Sequence, residues 1–221
     1  MNITYTPEQL IAFEDKIVQM YREGKIKAPL HLSGGNEKQL IKIFKKINSE
    51  DFIFSTYRSH YHSLLKGMPE QKLIDWILDL KSIHVMDNEY NIFSSAIVGG
   101  TLPIALGVAM SKKMKKEPGK IWVFVGDMTA SLGVFKDCFM YAVNFELPIT
   151  FVIENNELST DTRTAEVWGL PQTNMDAYFI SLAKTFPDYV ITYKYKRTRP
   201  HYGIGEFVIF KDDKKDSGRS F

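Results

Sequence analysis

Asp127 and Asn156 stand 29 positions apart (156 − 127), each following an uninterrupted apolar run: Ile121-Trp122-Val123-Phe124-Val125 before Gly126-Asp127, and Ile149-Thr150-Phe151-Val152-Ile153 before Glu154-Asn155-Asn156. A carboxylate, an amide oxygen and a nearby backbone carbonyl make the oxygen-only donor set of a hard cation such as magnesium, which usually shares its shell with phosphate oxygens. The pair therefore points to a magnesium-diphosphate site. Asp and Asn also follow strands because they tolerate turns and cap helices, so their placement has to decide. A second polar cluster, Tyr57-Arg58-Ser59-His60-Tyr61-His62, follows the apolar run Phe52-Ile53-Phe54. The Arg58 guanidinium suits a two-pronged grip on phosphate. His60 and His62 suit proton transfer, or are a surface pair of no chemical role; no Cys or carboxylate joins them at metal-ligand spacing.

These residues need strands that end on one edge. Runs of apolar residues suit strands buried on both faces of a parallel sheet. Between the two longest, Val134, Phe135, Cys138, Phe139, Ala142, Val143 and Phe145 recur at mostly helical steps until Leu147-Pro148. A strand-helix-strand crossover of this length is right-handed and parallel, which opens both carboxyl ends on one crevice. Thr6-Pro7-Glu8-Gln9 predicts a capped helix to about Glu23, closed by Gly24. Further helices are expected after Asn36, with Ser33 or Asn36 as cap, from Gly67-Met68-Pro69 to about Leu80, after Gly99-Gly100 with Pro103 in the first turn, and from Asn174 to about Lys184. Tyr189–Tyr193 and Glu206–Phe210 read as two more strands. The fold class is α/β, a doubly wound parallel sheet with helices on both faces. Residues 157–164 read as a polar loop at the mouth of the crevice, and Lys194–His201 as a basic, aromatic connection between strands, most simply solvated, with attraction of an anionic substrate or RNA binding as the alternatives.

The chain has 221 residues, 28 Lys+Arg against 26 Asp+Glu, and one cysteine. That length gives one α/β domain spanning residues 1–221, with 211–221 a loose charged tail. Near-neutral charge argues against a nucleic-acid protein, and the lysines at 112, 113, 115 and 116 suit a helix end. Cys138 on an apolar helix face is a core residue, and one cysteine excludes an internal disulfide. No run reaches the roughly 18 apolar residues of a membrane span; a cytoplasmic protein is expected.

Gly126-Asp127-Met128, followed by Asn155-Asn156, resembles the thiamine-diphosphate fingerprint, Gly-Asp-Gly followed after about 25 to 30 residues by Asn-Asn. Together with Gly35-Asn36-Glu37, Tyr57-Arg58-Ser59-His60, Ser82-Ile83-His84 and Ile97-Val98-Gly99, it looks like the alpha subunit of the two-subunit thiamine-diphosphate-dependent 2-oxoacid dehydrogenases, shortened. The resemblance implies Asp127, the Asn156 side chain and the Leu158 carbonyl as magnesium ligands, and Tyr57 and Arg58 as diphosphate contacts. It also implies that Ala96 and Val98 hold the aminopyrimidine through their backbone and that Met128 and Thr129 approach the diphosphate. His60 would be the active-site histidine, with His62 behind it. The implied activity is 2-oxoacid decarboxylation, with transketolase-like or carboligase two-carbon transfer, or a non-catalytic scaffold, as alternatives. The implied partner is a beta-type chain with the pyrimidine-binding domain and its activating glutamate, in a two-fold heterotetramer. Three departures stand out: Met128 replaces the third fingerprint residue, a glycine; Ala96 and Tyr61 stand where relatives often have glycine; and Arg199-Pro200-His201-Tyr202-Gly203 is at most a remnant of the family's histidine-bearing lid.

Overall fold

A computed structural model describes residues 5–208. Its first helix, α1 (Pro7–Arg22), starts in the reciprocal capping box expected: the Thr6 hydroxyl accepts from the Gln9 N–H, and the Gln9 side chain accepts from the Thr6 N–H. Gly24, at φ 71°, turns the chain away. Then follow α2 (Glu37–Phe44), β1 (Phe52–Ser55), α3 (His60–Leu65), α4 (Glu70–Leu78), β2 (Met86–Asp87), β3 (Ile92–Ser94) and α5 (Thr101–Lys115). The fingerprint region forms β4 (Ile121–Gly126), α6 (Asp127–Ala130), α7 (Gly133–Asn144) and β5 (Ile149–Asn155), and the rest β6 (Leu158–Ser159), β7 (Thr162–Arg163), α8 (Thr164–Trp168), α9 (Gln172–Thr185) and β8 (Val190–Lys194).

The main sheet has the order β2-β3-β1-β4-β5-β8, parallel throughout except for β2 against β3. From β1 the chain winds outward to β3, then crosses back to β4 and continues to β5 and β8. The winding direction thus reverses between β1 and β4, and it is outside the carboxyl ends of such strands that open α/β sheets bind ligands. Successive strand residues face opposite sides. Ile53, Phe124 and Val152 pack with Leu10, Phe13, Leu40, Leu64 and Leu73 of α1 to α4, whereas Phe54, Val123, Val125, Phe151 and Ile153 pack with Ala105, Phe135, Phe139 and Phe179 of α5, α7 and α9. Both faces are covered by helices, which is why β4 and β5 are apolar without alternation.

Several expectations need correction. The sheet contains β3, a three-residue strand beside β1 that lacks a recognisable apolar run. The helix from Gly67-Met68-Pro69 stops at Leu78, and Leu80 is exposed at φ 62° rather than inward. Residues 157–164 are not a plain loop: β6 and β7 pair as a small hairpin, and α8 starts at Thr164. Glu206–Val208 is not strand; Ile209, Phe210 and the expected tail at 211–221 lie outside the described residues. Pro103 does lie in the first turn of α5, three lysines fill its last turn, and Cys138 is buried. Among the described residues no helix is long and apolar enough to cross a membrane.

Candidate functional site

The two strands flanking the winding reversal deliver their following residues to one cavity. Thr56, Tyr57 and Arg58 come from the end of β1; Gly126, Met128 and Thr129 from the end of β4; Asn156, Leu158 and Thr160 follow β5; and Ser95 to Gly99 complete one wall. Of the residues expected at the site, Tyr57, Arg58, Ala96, Val98, Met128, Thr129, Asn156 and Leu158 all line it.

Asp127 lies beside this cavity with only 1% of its surface exposed. Among the described residues neither Oδ completes a hydrogen bond. Burial pushes its pKa up to about 6, against the opposing pull of the Thr164 hydroxyl and of the backbone at Asp127 and Asn156. A buried carboxylate without partners is costly unless a cation compensates it. Asn156 is held by its turn: its Oδ1 accepts from the Leu158 N–H at 3.0 Å and its Nδ2 donates to the Tyr195 hydroxyl at 3.2 Å. The second lone pair of Oδ1 remains for a cation. This donor set, one carboxylate with neutral oxygens, fits magnesium sharing its shell with phosphate. Among the described residues no three His, Cys, Asp or Glu side chains cluster as a metal site of the all-protein kind.

The histidines are placed differently. His60 and His62 belong to α3, are 0% and 1% exposed, and do not line the cavity. His62 packs against both Phe44 and Phe124, bonds the Ser55 hydroxyl through Nδ1 at 2.6 Å, and turns Nε2 toward Glu154 at 3.5 Å. His60 bonds the Ser82 hydroxyl through Nε2 at 3.0 Å and turns Nδ1 toward Glu14 at 3.7 Å. Each is thus a buried link between a serine and a glutamate, neither lines the cavity, and a direct contact with substrate does not fit this buried placement.

Other site residues were not singled out from the sequence. Glu154, from β5, lines the cavity and accepts from the Asn36 amide at 3.1 Å and from the Tyr193 hydroxyl. Asn36 starts α2 without capping it, because its side chain turns to Glu154 instead. Tyr195 also lines the cavity. Strand register carries the missed signal: Tyr193 pairs with Glu154 across β8 and β5, and period two then places Tyr195 on the same face as Asn156. The basic run after β8 is therefore no solvated connection. Beyond Tyr195 it docks on neighbouring loops, where Thr198 donates to the Gly34 carbonyl, Gly203 to the Leu30 carbonyl, and Arg197 binds Thr160 and Asp161 of the small hairpin.

His31 supports the same segment. Its Nδ1 is 2.6 Å from the His201 carbonyl, which only accepts, so Nδ1 carries the proton. Burial first, and then the charges of Arg58 and the neighbouring histidines, push its pKa down to about 4, although the His201 carbonyl works the other way. Between pH 6.5 and 4 the unfolded chain takes up a proton that the folded chain refuses, so this stability is present above pH 6.5 and lost as pH falls. His31→Asn keeps a donor but does not titrate. In urea titrations the wild type should lose about 1–2 kcal/mol more than this variant between pH 7 and pH 5, and equal losses would count against the assignment.

The family described as "Dehydrogenase E1 component" matches residues 5–179. The pyruvate dehydrogenase E1 component subunit alpha of Porphyra purpurea is 32% identical over 193 residues, covering 74% of this chain and 56% of that protein. The chloroplastic pyruvate dehydrogenase E1 component subunit alpha-3 of Arabidopsis thaliana is 31% identical, covering 75% and 45%. The alpha subunit of the acetoin:2,6-dichlorophenolindophenol oxidoreductase of Bacillus subtilis is 28% identical, covering 67% and 47%. The chain spans about half the length of these relatives. With 175 of its 221 residues matched in register (5 to 179) and its polar residues gathered at the winding reversal, the chain belongs to the dehydrogenase E1 component family.

Proposed function

We propose that this chain binds the magnesium-diphosphate end of thiamine diphosphate and acts on a 2-oxoacid together with a beta-type chain carrying the pyrimidine-binding domain and its glutamate. The observation that carries this reading is Asp127, a buried carboxylate beside a cavity at the sheet's winding reversal, whose oxygens complete no hydrogen bond among the described residues and whose desolvation outweighs the pull of Thr164 and the nearby backbone. Asp127, the Asn156 amide oxygen and the Leu158 carbonyl would hold magnesium. Tyr57 and Arg58 would meet the diphosphate, with the Met128 and Thr129 backbone alongside; Ala96 and Val98 would hold the aminopyrimidine. When bound, thiamine diphosphate supplies an electron sink for breaking a bond beside a keto carbon. The chain's own residues bind and orient it: the Asn156 turn is pinned by Tyr195 and the Leu158 N–H, and Asn155 ties it to Asp176 of α9 at 2.8 Å. Support for a partner comes from Ile97 and Val98, which stand at the cavity wall 70% and 57% exposed, an apolar surface that a second chain would cover.

Calorimetry with thiamine diphosphate and magnesium, with and without the product of the adjacent open reading frame, tests the reading. Absence of binding in both settings would sink it. One observation favours a second reading, a non-catalytic scaffold: Met128 lines the cavity where the fingerprint has glycine, with its carbonyl bonded by the Ser131 hydroxyl at 2.7 Å. A side chain there keeps the backbone from close approach to phosphate. Met128→Gly is expected to tighten cofactor binding about tenfold, roughly 1.4 kcal/mol; unchanged or weaker binding would remove this reading's support.

A further inference from the structure

Arg58 lines the cavity, yet its guanidinium is already occupied. Nε donates to the Leu32 carbonyl at 3.2 Å, Nη1 to the Tyr57 hydroxyl at 3.3 Å, and Nη2 to both the Nδ1 and the carbonyl of His201, at 3.0 and 3.2 Å. Of the five N–H groups of a guanidinium, only one on Nη1 has no bond among these. A two-pronged grip on phosphate needs two adjacent N–H groups along one edge, and both edges of Arg58 that include Nη2 end on His201.

His201 is itself held in place by the segment around it. From Tyr195 to Gly203 the chain is docked at five points: Tyr195 on Asn156, Arg197 on Thr160 and Asp161, Thr198 on the Gly34 carbonyl, Arg199 on Asp15, and Gly203 on the Leu30 carbonyl. The fit at the glycine pair is close: a Cβ on Gly35 would lie 2.1 Å from the Lys196 carbonyl oxygen. His201 also packs against the His31 and Tyr57 rings, at 4.9 and 6.0 Å between centroids.

We infer that residues 195–203 form a self-masking strap whose His201 takes the phosphate-binding edge of Arg58, so that a diphosphate-bearing ligand gains that edge only by displacing His201. The inference rests on the reading of the cavity as a diphosphate site. It differs from a plain lid in that the strap competes for the same donor as the ligand.

The test uses the full chain and two variants. His201→Ala removes the competing Nδ1, and Arg197→Ala combined with Arg199→Ala loosens the strap without touching its contact to Arg58. Phenylglyoxal modification of Arg58, followed by peptide mass spectrometry, reads masking directly and needs no cofactor. Both variants should modify Arg58 about three- to tenfold faster than wild type, the factor expected from losing one competing hydrogen bond, and should bind magnesium thiamine diphosphate more tightly by a similar factor. Unchanged Arg58 reactivity in both variants overturns the masking, whatever the cofactor does. Faster Arg58 modification with no thiamine diphosphate binding in any chain, alone or with the partner, upholds the masking and overturns the cofactor reading instead.

Discussion

Replacing Asp127 with asparagine is expected to weaken magnesium-dependent binding of thiamine diphosphate by at least about 100-fold, roughly 3 kcal/mol, while leaving the cofactor-free chain folded and more stable. The two effects have one cause. In the apoprotein the carboxylate is 1% exposed and neither oxygen completes a hydrogen bond within the described residues, so the nearby Thr164 hydroxyl and the backbone at Asp127 and Asn156 offset its desolvation only in part. The amide has the same shape and no charge, which should stabilise the apoprotein by about 1–2 kcal/mol near pH 7. With magnesium present the balance inverts, because the ion needs the anionic oxygen more than a second neutral one. Urea unfolding with and without magnesium thiamine diphosphate measures both halves. If the variant is less stable than wild type without ligand, the carboxylate has a partner in the fold and is not waiting for a cation. If it binds the magnesium complex as tightly as wild type, the metal assignment is wrong.

The part of this site that could be read from sequence is the part set by local pattern. Two apolar runs with polar residues after them fix two buried parallel strands, and their crossover fixes a shared edge, so Asp127 and Asn156 both follow neighbouring strands at that edge. Arg58 follows from the same logic, since Phe52-Ile53-Phe54 ends at the same edge. The histidines show where that logic stops. Residues after a strand point toward the crevice only until the next helix begins, and α3 begins at His60 and turns both imidazoles into the core. A single residue, Ser59, lies between Arg58 and His60 and separates a cavity-lining group from a packed one. Glu154 and Tyr195 were hidden for the opposite reason: their placement depends on the register between β5 and β8, strands joined through two helices, and no local signal gives a register. Likewise β3 is too short to carry a periodic pattern and owes its place to pairing with β1 on one side and β2 on the other.

Gly35→Ala is the substitution with the largest expected cost to the fold, because two independent penalties coincide at one atom. Gly35 has φ +94°, in a region that side-chain-bearing residues rarely occupy, which alone costs about 1–3 kcal/mol. The added methyl would lie 2.1 Å from the Lys196 carbonyl oxygen, a backbone atom that cannot swing aside as a side chain can. The strap must lift, and with it the Thr198 bond to Gly34, the Arg199 contact to Asp15 and the His201 bonds to Arg58. About 3 kcal/mol of destabilisation corresponds to roughly 6–12 °C in melting temperature for a chain of this size. The loss should be local as well as global: trypsin should cut after Lys196 or Arg197 many times faster than in wild type, since these positions become reachable once the strap leaves the glycine pair. Arg58 should then react with phenylglyoxal as fast as in the chain lacking Arg197 and Arg199. A variant that melts within a degree of wild type and resists trypsin equally would show that the strap is not seated on Gly35. A variant that melts lower but keeps Arg58 protected would show that the strap holds to Arg58 more firmly than to the glycines, and that the ligand's contest is with His201 rather than with the strap as a whole.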